Sequence, residues 1–152
     1  PEAQFIAEES DSNYDEVGSG YYWVIDPLDG TTNFLHGLPI YAVSVGLIYN
    51  KQPILGMIYE PNQDEMFYAS KGNGAFLNDK SIQVSTAETL ATSLLATGFP
   101  YYDFSYQDRY LDLLKELMQK SHGLRRMGAA SIDLAYTACG RFEGFFEANL
   151  KS

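Results

Sequence analysis

The chain is short of sulfur, imidazole and positive charge: one cysteine (Cys139), two histidines, and ten basic residues against twenty acidic ones in 152 positions. A single thiol excludes an internal disulfide and a thiolate metal cluster. The net charge of -10 argues against a nucleic-acid surface, because a phosphate backbone is met by clustered Lys and Arg. It leaves a phosphate ester open, since carboxylates bind phosphate through a bridging cation. No run approaches the roughly 18 apolar residues of a membrane span, and no membrane association is expected. There is no starting Met, signal peptide or transit segment, Pro1 being first, and the expectation is a chain trimmed at both ends. What is present is a 45% hydrophobic fraction, too high for a disordered chain, in a length that allows one ordinary domain or two small ones.

Gln4-Phe5-Ile6-Ala7 is short and apolar, and the polar, acidic run that follows from Glu8, with Asp11 to Glu16 at its centre, reads as a solvated loop. Tyr21 to Ile25, aromatic and β-branched, reads as a strand that stops at Asp26, because Pro27 has no N–H and pushes its predecessor out of the helical region. Tyr41 to Tyr49 and Ile54 to Glu60 flank the turn cluster Asn50-Lys51-Gln52-Pro53. Glu65 to Ala69 is a further strand, and Ala75 to Leu77 and Lys80 to Val84 make another hairpin about Asn78-Asp79. Strands so closely spaced predict an antiparallel sheet over residues 1 to about 86. From about 87 the pattern becomes strand (Ser93–Thr97), helix (Asp108–Lys120), strand (Leu124–Met127), helix from Ala129 closed by Gly140, and strand (Arg141–Glu147), the start of an α/β domain. Asp103 and Ser105 are cap candidates for the first of these helices, and its Leu111/Leu114/Met118 stripe is expected in the core. His122-Gly123 reads as its C-terminal cap, and Cys139 as a core residue. His36 reads as a loop residue, and of the consecutive Arg125 and Arg126 at most one faces any given site.

The segment that carries chemistry is Trp23-Val24-Ile25-Asp26-Pro27-Leu28-Asp29-Gly30-Thr31-Thr32-Asn33-Phe34. Two carboxylates three residues apart stand at a strand end, held by a proline and released into a glycine. Both carboxylates and the Leu28 carbonyl can turn toward one point, and carboxylate plus carbonyl oxygen is the donor set of a hard cation such as Mg²⁺. A helix starting at Thr31 would aim its first N–H groups at an oxyanion. An Asp-Pro turn followed by an Asp-Gly turn, with no chemistry, fits the same spacing, and spacing alone leaves both open.

Asp26 to Phe34 closely resembles the signature of the inositol monophosphatase family, magnesium-dependent and lithium-sensitive phosphatases; Gly72-x-Gly74-Ala75-Phe76 and Gly128-Ala129-Ala130-Ser131 extend the resemblance along the chain. Thr32 stands where the related bisphosphate nucleotidases usually carry Lys. The resemblance implies Glu8 as a metal ligand that helps hold the attacking water, with Ala7 replacing the Gly of the family's Gly-Glu-Glu element. It implies Asp26, Asp29 and the Leu28 carbonyl as further metal ligands, Asp26 being counted with the catalytic set. Thr31 would partner Glu8 in orienting the water, and the backbone N–H groups of Gly30 and Thr31 would receive phosphate oxygens. Asp29, Gly128, Ala129, Ala130 and Glu147 would contact the substrate, Glu147 through its hydroxyls. Glu9 and Asp11 match no catalytic position.

The fold so implied is a layered α/β (α+β) sandwich: residues 1–86 an antiparallel-sheet metal-binding domain, residues 87–152 a truncated second α/β domain, with the metal site between them. The family pattern places N-terminal helices before the first sheet, and a Trp-Asp pair just after a segment like Glu147 to Ser152, its Asp a further metal ligand. The expectation is therefore a fragment that alone binds magnesium weakly and turns over little. Its uncovered apolar surface would be met by self-association or by the missing parts, and the family implies a homodimer and a cytoplasmic enzyme. The expected function is Mg²⁺-dependent hydrolysis of an inositol monophosphate or similar polyol phosphate by metal-activated water. Histidinol phosphate, a sugar bisphosphate or a 3′-phosphonucleotide are the alternative small-molecule esters, and an inactive, non-catalytic interaction module is the reading from another class.

Overall fold

Turns whose residues tolerate left-handed backbone decide how the first half of the chain folds back on itself. The computed structural model describes residues 3–7, 18–100, 103–148 and 150; the acidic run centred on 11–16 lies outside them. The described residues up to Ile82 form one compact unit and those from Gln83 a second.

The first unit is one seven-stranded sheet in sequence order: β1 (Ala3–Ala7), β2 (Tyr21–Asp29), β3 (Ala42–Tyr49), β4 (Gln52–Glu60), β5 (Glu65–Ser70), β6 (Gly74–Leu77) and β7 (Lys80–Ser81), with the short helix α1 (Thr31–Leu35) after β2. The β3–β4 turn is narrower than the predicted cluster. Asn50 and Lys51 alone make it, at φ 48° and 64°, the paired left-handed residues of a hairpin turn whose twist matches its strands. Asn50 Oδ1 also accepts the Gly20 N–H at 2.9 Å, fixing the start of β2. Pro53 sits inside β4, beside a register shift opposite Leu47 and Ile48, where the missing N–H costs no ladder bond. Asn78 and Asp79 repeat the two-residue turn at φ 45° and 64°. The strand after it ends at Ser81 instead of reaching Val84.

Two expectations about this sheet are corrected. It is mixed, not antiparallel throughout: β1 runs parallel to β2, with Ile6 opposite Val24 and Ala7 opposite Ile25. Residues 8–20 between them are enough chain for the return that a parallel pair needs. And β2 does not stop at Asp26. It resumes pairing at Asp29, opposite Ala42, after a bulge. Ile6, Tyr22 and Ile48 form a buried cluster on one face, with Val24 packed against it.

The second unit is a three-stranded parallel sheet of order β10-β8-β9, made of β8 (Leu94–Thr97), β9 (Gly123–Arg125) and β10 (Gly144–Phe146), with α2 (Gln107–Lys120) and α3 (Ala130–Ala138) as its crossovers. The central strand is the most buried, Ala96 being fully buried and Thr97 only 2% exposed. Helix α3 ends in a paired C-cap: Gly140 at φ 79° donates to Thr137 O at 3.1 Å and Arg141 to Tyr136 O at 2.8 Å, the motif for which glycine is suited. A Cβ on Gly140 would also press on the backbone of residues 83–85 at 3.0–3.2 Å.

Helix α2 departs from its predicted packing. Tyr106 precedes it without a side-chain cap bond, and Asp103 instead accepts the Ser105 N–H at 2.9 Å. Its inward face is Tyr110, Leu114 and Leu117, while Leu111 and Met118 are 48% and 67% exposed. The rotation follows from Tyr110, whose hydroxyl meets that of buried Thr97 at 2.8 Å. Ser121 is the C-cap of α2, not His122, whose N–H goes to Ser93 O at 2.9 Å. Cys139 is half-buried at the end of α3. Among the described residues no helix is long and apolar enough to cross a membrane.

Two buried or bonded carboxylates hold turns and give testable outcomes. Glu60, 1% exposed, accepts the N–H groups of Asn62 and Gln63 at 3.0 and 2.7 Å and Asn62 Nδ2 at 2.8 Å. Truncating it strands these donors, so Glu60→Ala is expected to cost about 2–3 kcal/mol in urea unfolding, with Glu60→Gln recovering part. Glu143 is held below the usual glutamate range by hydrogen bonds from Ser85 and the Leu94 N–H. A lowered folded-state pKa contributes stability above the unfolded value that is lost as pH falls through the folded one. Glu143→Gln is therefore expected to flatten the acid limb of a melting-temperature profile taken downward from about pH 5.

Candidate active site at the end of strand β2

Pro27 cannot donate to β3, and the chain answers with a bulge. Asp26 pairs with Ser44 and Asp29 with Ala42, so two residues of β2 face the single Val43 between those partners. Inside the bulge the Asp26 carboxylate takes the Leu28 N–H at 2.9 Å, replacing a ladder bond with a local one. Asp26 and Asp29 are both half-buried. Gly30 follows at φ 86°, ψ 32°, a left-handed step that a side chain would strain. Helix α1 then starts at Thr31, as the oxyanion reading requires.

Thr31 Oγ1 donates to Leu28 O at 2.9 Å. That bond uses the hydroxyl proton and leaves the oxygen's lone pairs as acceptors, and it leaves the Leu28 carbonyl with a second lone pair. Asn33, 5% exposed, donates through Nδ2 to Ile40 O at 2.8 Å, and Leu38 N–H returns to Asn33 O at 2.8 Å. The sequence pattern alone assigns Asn33 no role. Its position ahead of Gly37 and Pro39, where a loop must be tied back, is the signal that was there. Phe34 packs edge-on against Tyr41 at 5.0 Å. His36 closes α1 and is exposed.

The structure thus brings Asp26, Leu28, Asp29, Gly30 and Thr31 into one short segment. Glu8 lies outside the described residues; β1 ends just before it, at Ala7, opposite Ile25. Among the described residues no group of three His, Cys, Asp or Glu side chains is placed to hold a metal ion. What they supply is two carboxylates and a carbonyl, all hard oxygen donors and so suited to Mg²⁺ rather than to a thiophilic metal.

The other predicted substrate residues belong to the second unit. Gly128, at φ 87°, turns the chain into α3; Ala129, 1% exposed, is the residue before the helix, and Ala130 is its first. Glu147 follows β10, half-buried. It borders an open cavity of about 240 Å³ with Tyr106, Arg109, Tyr110, Leu113, Phe146 and Ala148. Arg126, just past β9, lies over the Phe99 ring at 5.4 Å, while Arg125 is exposed and donates back to Leu124 O. Contrary to the expectation that at most one of them faces a given site, both border one cavity of about 420 Å³ with Phe99 and Leu114.

Comparison with known proteins places this segment in a family. The inositol monophosphatase family matches residues 1–152. A putative Nus factor SuhB of Neisseria meningitidis serogroup B is 48% identical over 151 residues, 99% of this chain and 58% of that protein. An inositol-1-monophosphatase of Rhizobium meliloti is 41% identical over 150 residues, 99% of this chain and 56% of that one. Among solved structures, the extragenic suppressor protein suhB of Bartonella henselae superposes with TM-score 0.88 at 44% identity, covering 96% of this chain and 55% of that one. An IMPase of Thermotoga maritima gives 0.86 at 33% identity, covering 99% and 55%. The chain spans a little over half the length of these relatives, and its α/β layers are those of their fold. It belongs to the inositol monophosphatase family.

Proposed function

We propose that the protein of which this chain forms part hydrolyses a phosphate monoester of a polyol, an inositol monophosphate or a close analogue, with Mg²⁺ as cofactor. The observation that carries this is the run Asp26 to Phe34. It sets two carboxylates, a carbonyl and a threonine hydroxyl between a strand end and a helix start, in a chain that belongs to a phosphatase-named family.

Asp26, Asp29 and the Leu28 carbonyl would hold the metal, with Glu8 as the ligand that family resemblance adds. When bound, Mg²⁺ neutralises phosphate charge and makes a water acidic enough to act as nucleophile near neutral pH. Thr31, its proton engaged by Leu28 O, offers Oγ1 as acceptor for a hydrogen of the attacking water and so orients it. The Gly30 and Thr31 N–H groups would receive a phosphate oxygen. The Gly128–Ala130 turn would pass a sugar-like ring without side-chain obstruction, and Glu147 would accept its hydroxyls. A homodimer, a cytoplasmic location and lithium sensitivity are part of the same proposal, on family resemblance. Histidinol phosphate, a sugar bisphosphate and a 3′-phosphonucleotide are the competing esters.

A second reading comes from relatives named Nus factor SuhB, 40–48% identical to this chain: a role through a protein partner, independent of hydrolysis. The charge of -10 gives no support to direct RNA contact. A partner effect that survives Asp29→Asn would favour it.

The test is phosphate release from myo-inositol 1-phosphate by the full-length protein, with and without Mg²⁺. Release should vanish with EDTA and return with Mg²⁺. Asp29→Asn should lower kcat by roughly a hundredfold or more, the scale of losing a positioned catalytic group. Thr31→Val should cost a comparable factor, while Thr31→Ser, which keeps the hydroxyl, should retain most activity. Metal-independent release, or full activity in Asp29→Asn, contradicts the proposal.

A further inference from the structure

Strands β8 and β10 run parallel with Thr97 opposite Phe146, so the next residues, Gly98 and Glu147, leave the sheet side by side. From β8 the chain crosses to β9 on one side, and from β9 it returns past β8 to β10. The reversal of direction makes the carboxyl ends of β8 and β10 a topological switch point, where open α/β sheets place their ligands. The cavity bordered by Glu147 lies beside the carboxyl end of β10, its other wall being helix α2.

Gly98 is buried and its φ is not positive, so backbone conformation does not explain a glycine. Space does. A Cβ built on Gly98 would overlap the Glu147 carboxylate itself, its carbon and both oxygens. The Glu147 side chain lies folded across the bare Cα of Gly98. Its backbone is anchored beneath: Thr97 Oγ1 donates to Phe146 O at 2.9 Å and meets the Tyr110 hydroxyl at 2.8 Å. The Tyr110 ring lies 6.0 Å from that of Phe146. Tyr110 and Glu147 border the same cavity; burial raises the Tyr110 hydroxyl pKa, the Thr97 bond opposes this, and the Glu147 carboxylate adds to the rise.

We propose that Gly98 is a specificity-determining position, holding open the space in which Glu147 presents its carboxylate to substrate hydroxyls, and that Tyr110 acts with Thr97 as a positioning residue for the same carboxylate. This rests on the reading of Glu147 given above and names what aims it. Any side chain at 98 pushes the carboxylate aside. Because the displaced atoms are the end of a flexible side chain, the fold absorbs the change and the loss falls on recognition.

The experiment compares myo-inositol 1-phosphate with 4-nitrophenyl phosphate, whose leaving group carries no neighbouring hydroxyls, on the full-length protein. Gly98→Ala should raise KM for the inositol ester about tenfold, the scale of one lost hydrogen bond to a charged group. Its kcat, its KM for the aryl ester and its melting temperature should stay near wild type. Tyr110→Phe, which removes only the hydroxyl, should move the same KM in the same direction by a smaller factor. Gly98→Ala added to Glu147→Ala should have no further effect, because the two act through one group. An unchanged inositol KM in both Gly98→Ala and Tyr110→Phe, while Glu147→Ala raises it, overturns the proposal, as does an additive double variant. If Glu147→Ala leaves the inositol KM unchanged, the underlying reading falls and the proposal with it. A wild type that releases no phosphate from the inositol ester marks the failure of the proposed function instead.

Discussion

A proline that cannot donate a hydrogen bond is placed in the second strand of a seven-stranded sheet, and the arrangement at Asp26–Thr31 follows from how the chain accommodates it. With no N–H at Pro27, β2 bulges away from β3 between Ser44 and Ala42. The lost pairing is replaced locally, by the Asp26 carboxylate on the Leu28 N–H and by the Thr31 hydroxyl on the Leu28 carbonyl. Those two bonds fix the side chains that carry the proposed chemistry. The left-handed step at Gly30 then ends the strand and starts the helix within one residue. Polar groups that a regular ladder would have aligned with strand β3 are gathered at its end instead, which is where oxygen donors and free N–H groups are useful to an anion and its cation.

The second unit reaches a similar result by subtraction. A parallel pair of strands delivers Gly98 and Glu147 next to each other, and the absence of a side chain on one makes room for the carboxylate of the other. Buried Thr97, 2% exposed, ties strand β8 to β10 through Phe146 O and to helix α2 through Tyr110. One hydroxyl therefore sets both the rotation of the helix and the backbone beneath Glu147. The apolar residues left outward on α2, Leu111 and Met118, are the counterpart of that choice: a helix whose apolar arc is wider than its docked face must leave part of it uncovered.

Much of the first unit was legible because its signals are local. The turn clusters at Asn50 and at Asn78-Asp79, the existence of strands β3 to β5 and the nine-residue run from Asp26 to Phe34 can each be read within a short window. What was not legible depends on distant partners. The parallel pairing of β1 is decided across residues 8–20, and a short apolar run carries no sign of strand direction. The continuation of β2 past Pro27 depends on β3 tolerating a bulge. The face of α2 is set by Tyr110 meeting Thr97, thirteen positions away in sequence, so periodicity found the helix but chose its neighbouring stripe. A glycine after a strand, such as Gly98, carries no local sign of its purpose, and only the path of Glu147 shows why it is there.

The most direct test of the account follows the backbone amides of full-length protein by ¹⁵N-resolved NMR during a Mg²⁺ titration. Saturable shifts centred on Leu28, Asp29, Gly30 and Thr31, lost in Asp26→Asn, are the predicted result. Shifts absent from that segment, or spread evenly over the acidic surface and unchanged by Asp26→Asn, would contradict the claim that the broken strand end is where the cation is held.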